Sequence, residues 1–109
     1  MSYAADLHLH SPFAYACSKN LTLENLSAWA KVKGIHLLSS GDFTHPAWRE
    51  ELGRKLAPDG SGLYTYNDVH FILGTEVNCV FFQGGKGRRV HMLLLAPDFC
   101  TVDRLTLAL

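Results

Sequence analysis

Histidines and carboxylates recur along this chain of 109 residues at spacings that suit metal binding. The first group is Asp6-Leu7-His8-Leu9-His10, in which polar and apolar residues alternate. In a β-strand this alternation places both histidines on one face, where their imidazoles can reach one metal ion. Asp6 is close enough in sequence to orient a ring nitrogen. The alternative is a strand that carries two half-exposed histidines.

More residues of this kind follow later in the chain. Gly41-Asp42-Phe43-Thr44-His45-Pro46 comes directly after a short apolar segment, and His91 lies beyond a glycine-rich turn. Glu76 lies inside an apolar run, where a carboxylate is costly unless it is paired or bound to a cation. Parallel strands place functional residues at their C-terminal ends, so we expect metal ligands to gather there. The candidate ligands are His8, His10, Asp42, His45, Glu76 and His91.

Such a mixture of imidazole and carboxylate suits Zn²⁺, Mn²⁺ or Fe²⁺. A carboxylate shared by two ions is typical of sites that hydrolyse phosphate esters, because one metal makes hydroxide from water and the pair neutralises charge on phosphorus. Structural alternatives stay open: His45 could only cap a helix, and Glu76 could pair with an arginine. The sequence favours a packed strand position for His36 and a solvated one for His70.

The elements that must position these residues begin with a strand, a helix and a strand. We expect a mostly buried strand over residues 3–9, followed by a loop to Asn20. Thr22 can cap a helix that Gly34 ends, and residues 35–38 form a short second strand. This order predicts a parallel βαβ unit.

The second half of the chain predicts a helix and a hairpin. Pro46 suits the first turn of a helix over residues 47–56, and residues 57–62 form a loop. Strands over 71–82 and 88–95 flank the turn Gln83-Gly84-Gly85-Lys86-Gly87, and a third helix starts near Thr101. Two positions of the turn are possible. In the first, Glu76 pairs with His91, so that paired residue numbers sum to 167, and in the second Glu76 pairs with Leu95, so that they sum to 171. In both, Glu76 and His91 face the same side, but in the second they are too far apart to share an ion.

Composition restricts the class of protein. Ten Lys and Arg balance ten Asp and Glu, so no global charge attracts nucleic acid or an anionic membrane. Lys86, Arg88 and Arg89 form a basic turn, which is usually a solvated hairpin tip but could contact a phosphate backbone. No stretch resembles a signal peptide or a membrane span. Cys17, Cys79 and Cys100 indicate reduced thiols in the cytoplasm, packed as small core residues.

Several motifs resemble the polymerase and histidinol phosphatase (PHP) superfamily. Asp-Leu-His-Leu-His resembles its first motif, Gly41-Asp42 its second and Gly74-Thr75-Glu76 its third. The residues around and between these motifs are similar to those of the endonuclease Q branch. The similar segments are His10-Ser11-Pro12-Phe13, Ser18-Lys19, Leu21-Thr22-Leu23-Glu24-Asn25-Leu26, Gly41-Asp42-Phe43-Thr44-His45-Pro46, Phe71-Ile72-Leu73-Gly74-Thr75-Glu76, and Val90-His91 through Ala96-Pro97-Asp98.

The resemblance implies an α/β fold, the N-terminal part of a distorted (β/α) barrel with a β-hairpin near 71–95. It implies metal-dependent cleavage of DNA beside deaminated bases such as uracil or hypoxanthine, in DNA repair, with divalent Zn, Mn or Mg as cofactors. More than one ion is expected in the full-length protein. Metal roles carry over to His8, His10, Asp42 and Glu76, and less directly to His45 and His91. No catalytic residue beyond the metal ligands is implied.

The sequence also departs from the family pattern. Phe43 stands where the second motif of the superfamily usually has His, with His45 two places later, and the endonuclease Q branch shares this feature. Ala14-Tyr15 replaces a Ser-Arg pair that relatives tend to have, and Met92 stands where relatives often have a second histidine. A later histidine motif and an Asp-x-His motif are absent. We therefore expect residues 1–109 to be the incomplete N-terminal portion of one PHP-type domain, inactive in isolation. The alternatives are a phosphatase or exonuclease on this scaffold, and a non-catalytic segment that packs against a partner.

Overall fold

A computed structural model describes residues 3–12 and 21–109 of the chain. The elements share one mixed α/β fold. In chain order they are β1 (Ala5–Asp6), α1 (Leu23–Lys33), β2 (Leu37–Ser39), α2 (Pro46–Lys55), β3 (Ala57–Pro58), β4 (Tyr64–Tyr66), β5 (Val69–Gln83), β6 (Lys86–Ala96) and α3 (Phe99–Ala108). The α/β class and the predicted hairpin are confirmed.

Helix α1 begins and ends where the sequence predicts. The Thr22 hydroxyl accepts a hydrogen bond from the backbone N–H of Asn25, which satisfies one of the donors left over at a helix start. Gly34 ends the helix in the left-handed region at φ 70°, which glycine adopts without a steric penalty. The apolar stripe of α1 faces the core, with Leu23 and Ala30 fully buried.

The sheet contains six strands and is mixed. The strands are ordered β1-β2-β5-β4-β3, and β6 pairs with β5. β1, β2 and β5 run parallel, which confirms the predicted βαβ unit, whereas β4 is antiparallel to β5. Strands β3 and β4 were not predicted, and β3 occupies the first two residues of the segment 57–62, which was expected to be a loop. The sequence does contain a signal for β4, namely the pair Asn67-Asp68 between Tyr66 and Val69. Asn and Asp are favoured in hairpin turns that require positive φ, and both residues adopt positive φ in the structure.

Strand β5 belongs to two pairings in succession. Its first residues lie between β2 and β4, and from Leu73 onward it pairs with β6. In this hairpin Gln83 pairs with Lys86 and Glu76 with Leu93, so paired numbers sum to 169. Both predicted registers are wrong, because the turn is closed by only Gly84 and Gly85, which tolerate positive φ.

Other predictions about burial are wrong. Strand β1 spans two residues rather than residues 3–9 and is not buried, because β2 offers it only a short edge to pair with. His36 is exposed and stacks on Tyr3, with ring centroids 4.8 Å apart. Cys79 and Cys100 are also exposed. Residues 13–20 of the predicted loop, which include Cys17 and Ala14-Tyr15, lie outside the described residues.

The core lies between the sheet and the helices. Its largest fully buried side chains are Trp48, Phe43 and Phe71, joined by leucines of α1, β2, α2 and β5. The indole N–H of Trp48 donates to the carbonyl oxygens of Ser40 and Gly41, at 3.1 and 3.0 Å. This interaction anchors the loop that follows β2 to the core. In the part of the chain that the structure describes, every helix is too short or too polar to cross a lipid bilayer.

Candidate metal centre

Three of the predicted ligands meet at one edge of the sheet. One ligand atom from each of His8, His10 and Glu76 can be chosen so that all three lie within 4.8 Å of one another. Nε2 of His8 contacts Oε2 of Glu76, and Nε2 of His10 lies 3.7 Å from the same oxygen. The two imidazole rings have centroids 5.4 Å apart and meet edge to face. His8 and Glu76 are 68 positions apart in the sequence.

The parallel strands explain why these residues meet. The segment after β1 carries the histidines, and the segment after β2 carries Asp42. Strand β5 continues beyond Ile72, its last residue paired with β2, to Glu76. All three segments therefore leave the sheet at the C-terminal edge, where the ends of parallel strands converge. The predicted position of the site is thus the position at which the side chains gather.

Gly41 allows the first two segments to approach closely. A Cβ atom at this position would overlap the carbonyl oxygen of Leu9 and would lie 3.0 Å from Cα of His10. Gly41 also adopts φ +65°, which side chains other than glycine rarely tolerate. The loop after β2 therefore packs directly against the backbone that holds the two histidines.

Asp42 lies beside the cluster rather than in the group of three. Its Oδ1 is 3.5 Å from Nδ1 of His10, and its Oδ2 accepts a hydrogen bond of 2.6 Å from the backbone N–H of Ser11. Asp42 therefore holds the segment after His10 by a hydrogen bond and lies close to the His10 ring. It is close enough to the cluster to serve as a ligand or to orient His10.

His45 lies at the N-cap position of α2. Its backbone N–H donates to the carbonyl oxygen of Asp42 at 3.0 Å, and its own carbonyl oxygen accepts from Arg49 at 2.8 Å. Among the described residues, the group of three ligand atoms does not include His45. The backbone of His45 thus takes part in starting α2, and its role as a ligand stays a prediction.

His91 reaches the site from β6. Its direct partner across the hairpin is Asn78, two residues beyond Glu76, so His91 and Glu76 share a face as predicted. Nδ1 of His91 contacts Oε1 of Glu76. Each carboxylate oxygen of Glu76 therefore has a different imidazole partner, and no arginine is needed to explain this half-buried residue.

The electrostatics of Glu76 follow from these contacts. Hydrogen bonding with His8, and then with His91, lowers the pKa of Glu76 below its usual range. The carboxylate is therefore ionised and available to a cation at neutral pH. Oδ1 of Asp6 accepts a hydrogen bond from the backbone N–H of His8 at 3.2 Å, and the role of Asp6 in orienting a ring stays a prediction.

The donor set fits a divalent transition metal. Ligand atoms on one tetrahedral Zn²⁺ ion lie about 3.5 Å apart, since each is about 2.1 Å from the metal. The 4.8 Å limit for the three donor atoms is within a small side-chain movement of that spacing. Two imidazoles and one carboxylate on the same side also leave positions open for water or a substrate oxygen. This arrangement is more typical of a catalytic site than of a closed structural site.

Comparisons with known proteins relate the sequence and the fold of this chain to two endonuclease Q structures and one curated protein. No family model matches the chain. An uncharacterised protein of Methanocaldococcus jannaschii is 34% identical over 100 residues, which are 92% of this chain and 10% of that protein. A crystal structure of the lesion-specific endonuclease Q from Pyrococcus furiosus is similar with a TM-score of 0.82 and 32% identity, over 97% of this chain and 25% of that one.

A second crystal structure shows an endonuclease Q in complex with a 27-mer duplex substrate that has an abasic lesion at the active site. Its TM-score is 0.81 at 35% identity, over 95% of this chain and 25% of that one. The chain has an endonuclease Q-like fold. The resemblance to the endonuclease Q branch of the PHP superfamily, predicted from the motifs, is confirmed. The chain spans 25% of the length of these endonuclease Q structures and 10% of the curated relative.

Proposed function

We propose that this chain provides metal ligands for the hydrolysis of a DNA phosphodiester beside a damaged base. The observation that carries the proposal is the convergence of His8, His10 and Glu76 at the C-terminal edge of an endonuclease Q-like sheet. Deaminated bases such as uracil and hypoxanthine are the proposed lesions, and repair of DNA is the proposed role. Location in the cytoplasm belongs to the same proposal.

The proposed roles differ among the residues. His8, His10 and Glu76 would hold the metal directly, and the carboxylate of Glu76, whose two oxygens contact different imidazoles, would help to hold a second ion. Asp42 either binds an ion or holds the His10 ring, while His45 and His91 are further candidate ligands. Zn²⁺, Mn²⁺ or Mg²⁺ is the proposed cofactor. When bound, it would supply hydroxide near neutral pH and would neutralise charge on the phosphate.

Metal content tests the first part of this proposal. We expect the purified chain to bind Zn²⁺ or Mn²⁺ after exposure to each metal, measured by elemental mass spectrometry after desalting. His8→Ala should lower the bound metal, because it removes one of the three clustered donors. His36→Ala is the matched control, since His36 is also an exposed histidine but lies before β2, at the opposite edge. Equal metal loss in both variants, or none in either, would remove His8 from the site.

Cleavage tests the second part. A labelled duplex with one deoxyuridine or deoxyinosine is incubated with the chain and metal, and with EDTA as the control. The chain covers 25% of the solved endonuclease Q structure, so we expect weak nicking beside the lesion from the chain alone, and EDTA should abolish it. Release of phosphate from a small ester without nicking would favour the phosphatase alternative. Absence of metal binding and of nicking would favour the non-catalytic segment.

A further inference from the structure

The outer part of the β5–β6 hairpin projects away from the rest of the molecule. Residues 78–93, called the outer hairpin below, are all exposed. The exposure includes large apolar side chains, among them Phe82 at 82% and Val80 at 66%. Two-stranded ribbons of this kind are marginally stable in water, and exposed aromatic residues often mark interaction sites.

The outer hairpin also concentrates positive charge. It contains Lys86, Arg88 and Arg89 but no Asp or Glu, although the whole chain has a net charge of zero. Among the residues that the structure describes, none of these three cations lies in an ion pair, whereas Arg49 and Lys55 do. An unpaired cationic ribbon is complementary to the phosphate backbone of nucleic acid.

One face of the outer hairpin continues from the metal centre. Side chains alternate along a strand, so Asn78, Val80 and Phe82 share the face of Glu76. Across the hairpin, His91 lies opposite Asn78 and Arg89 opposite Val80 on that same face. This metal-side face therefore leads from the cluster through His91 to an arginine and an exposed aromatic ring.

The neighbouring residues of the same type lie on the other face. Arg88 pairs with Phe81, and both point away from the face of Glu76. Phe82 is opposite Gly87, where an added Cβ would lie 3.7 Å from its ring, so the ring extends across the glycine backbone. Phe81 is less exposed, at 42%. The tip thus has Arg89 and Phe82 on the metal-side face, and Arg88 and Phe81 on the opposite face together with Lys86, which pairs with Gln83.

We infer that the metal-side face of the outer hairpin binds the substrate DNA, with Arg89 on a backbone phosphate and Phe82 stacked on a base. Arg89 lies opposite Val80, which is four residues beyond Glu76 on β5. Four residues span about 13 Å along a strand, which is the length of about four base-pair steps of about 3.4 Å. Aromatic rings beside cationic groups are typical of surfaces that hold nucleic acid strands. The inference rests on the proposed function, because it takes DNA as the substrate.

The two adjacent pairs provide a matched test. A fluorescein-labelled duplex with one deoxyuridine is titrated with the full 109-residue chain in EDTA, and anisotropy gives the dissociation constant. We expect Arg89→Ala to weaken binding at least about fivefold and to lower the salt slope by about 0.9, as loss of one phosphate contact predicts. Phe82→Ala should also weaken binding at least about fivefold, because it removes one stacking contact.

The controls are Arg88→Ala and Phe81→Ala, which change the same residue types on the opposite face. We expect both to leave the dissociation constant within about twofold of the original chain. Circular dichroism of all four variants verifies that the hairpin is retained. Equal weakening by Arg88→Ala and Arg89→Ala, or no measurable binding by the original chain, would overturn the inference. A change of oligomeric state in Arg89→Ala or Phe82→Ala, seen by sedimentation, would instead assign this face to a second copy.

The outcome is separable from that of the proposed function. The binding assay contains EDTA, so it does not depend on the metal centre. If the original chain binds metal and the two arginine variants weaken DNA binding equally, the inference about the outer hairpin is rejected and the proposed hydrolysis is not. Loss of binding in Arg89→Ala but not in Arg88→Ala, together with no metal in the original chain, would reject the proposed hydrolysis alone.

Discussion

The substitution Gly41→Ala tests how the metal centre depends on the fold. Gly41 adopts φ +65°, and an added Cβ would overlap the carbonyl oxygen of Leu9 and lie 2.8 Å from its carbonyl carbon. These are backbone atoms, so no flexible side chain can move aside to relieve the overlap. Either the loop that carries Asp42 or the segment that carries His10 must shift.

The expected magnitude has two parts. An alanine in the left-handed region costs about 1–2 kcal/mol. Packing an extra methyl group into a filled position costs about 1–3 kcal/mol more. Gly34→Ala is the matched control, because Gly34 has φ +70° but its added Cβ would meet nothing within 4 Å. Gly34→Ala should therefore lose only the first part, and Gly41→Ala should lose the sum of about 2–5 kcal/mol.

Urea unfolding followed by tryptophan fluorescence measures the free energy of unfolding of both variants. Zn²⁺ content, measured in the folded baseline, shows whether the donor atoms still meet. We expect Gly41→Ala to lose metal as well as stability, and Gly34→Ala to lose only some stability. Equal stability losses in the two variants would refute the claim that Leu9 and Gly41 are in tight backbone contact.

Two further predictions concern residues that support the site. Trp48→Phe removes the donor to the carbonyl oxygens of Ser40 and Gly41 and should lower the free energy of unfolding by about 1–3 kcal/mol in urea; an unchanged midpoint would contradict it. Hydrogen bonding from Lys55 lowers the pKa of Glu24 from 4.5 to about 2. Its stabilisation is thus present above pH 4.5 and lost as the pH falls towards 2, so Glu24→Gln should destabilise the chain at pH 6 but not at pH 2.

Local chemistry made several elements predictable from the sequence. Thr22 and Gly34 bound α1 through hydrogen bonds and a left-handed backbone, which involve only neighbouring residues. Pro46 begins α2 because its fixed φ suits the first turn of a helix. The candidate ligands were also recognisable, because their residue types and their place after parallel strands are visible in the sequence.

Predictions failed where the outcome depended on remote segments. The hairpin register was wrong because several glycines could close the turn, and only the pairing of long strands selects Gly84 and Gly85. The buried position expected for Cys79 was wrong because the hairpin leaves the core, so that its apolar residues are exposed. The alternation of side chains along β5 did not reveal that the strand pairs with β2 and β4 only up to Ile72 and with β6 from Leu73 onward.

The sequence by itself indicated the candidate donor residues, the order of the three helices and of strands β1, β2, β5 and β6, and the resemblance to endonuclease Q. Only the tertiary structure decided that Glu76 contacts His8 through one oxygen and His91 through the other. The reason is that residue types and caps act over a few neighbours, whereas contacts between segments 68 and 15 residues apart depend on register and packing. The close approach of Gly41 to the backbone of Leu9, which brings the loop with Asp42 against the segment with the histidines, was likewise visible only in the tertiary structure.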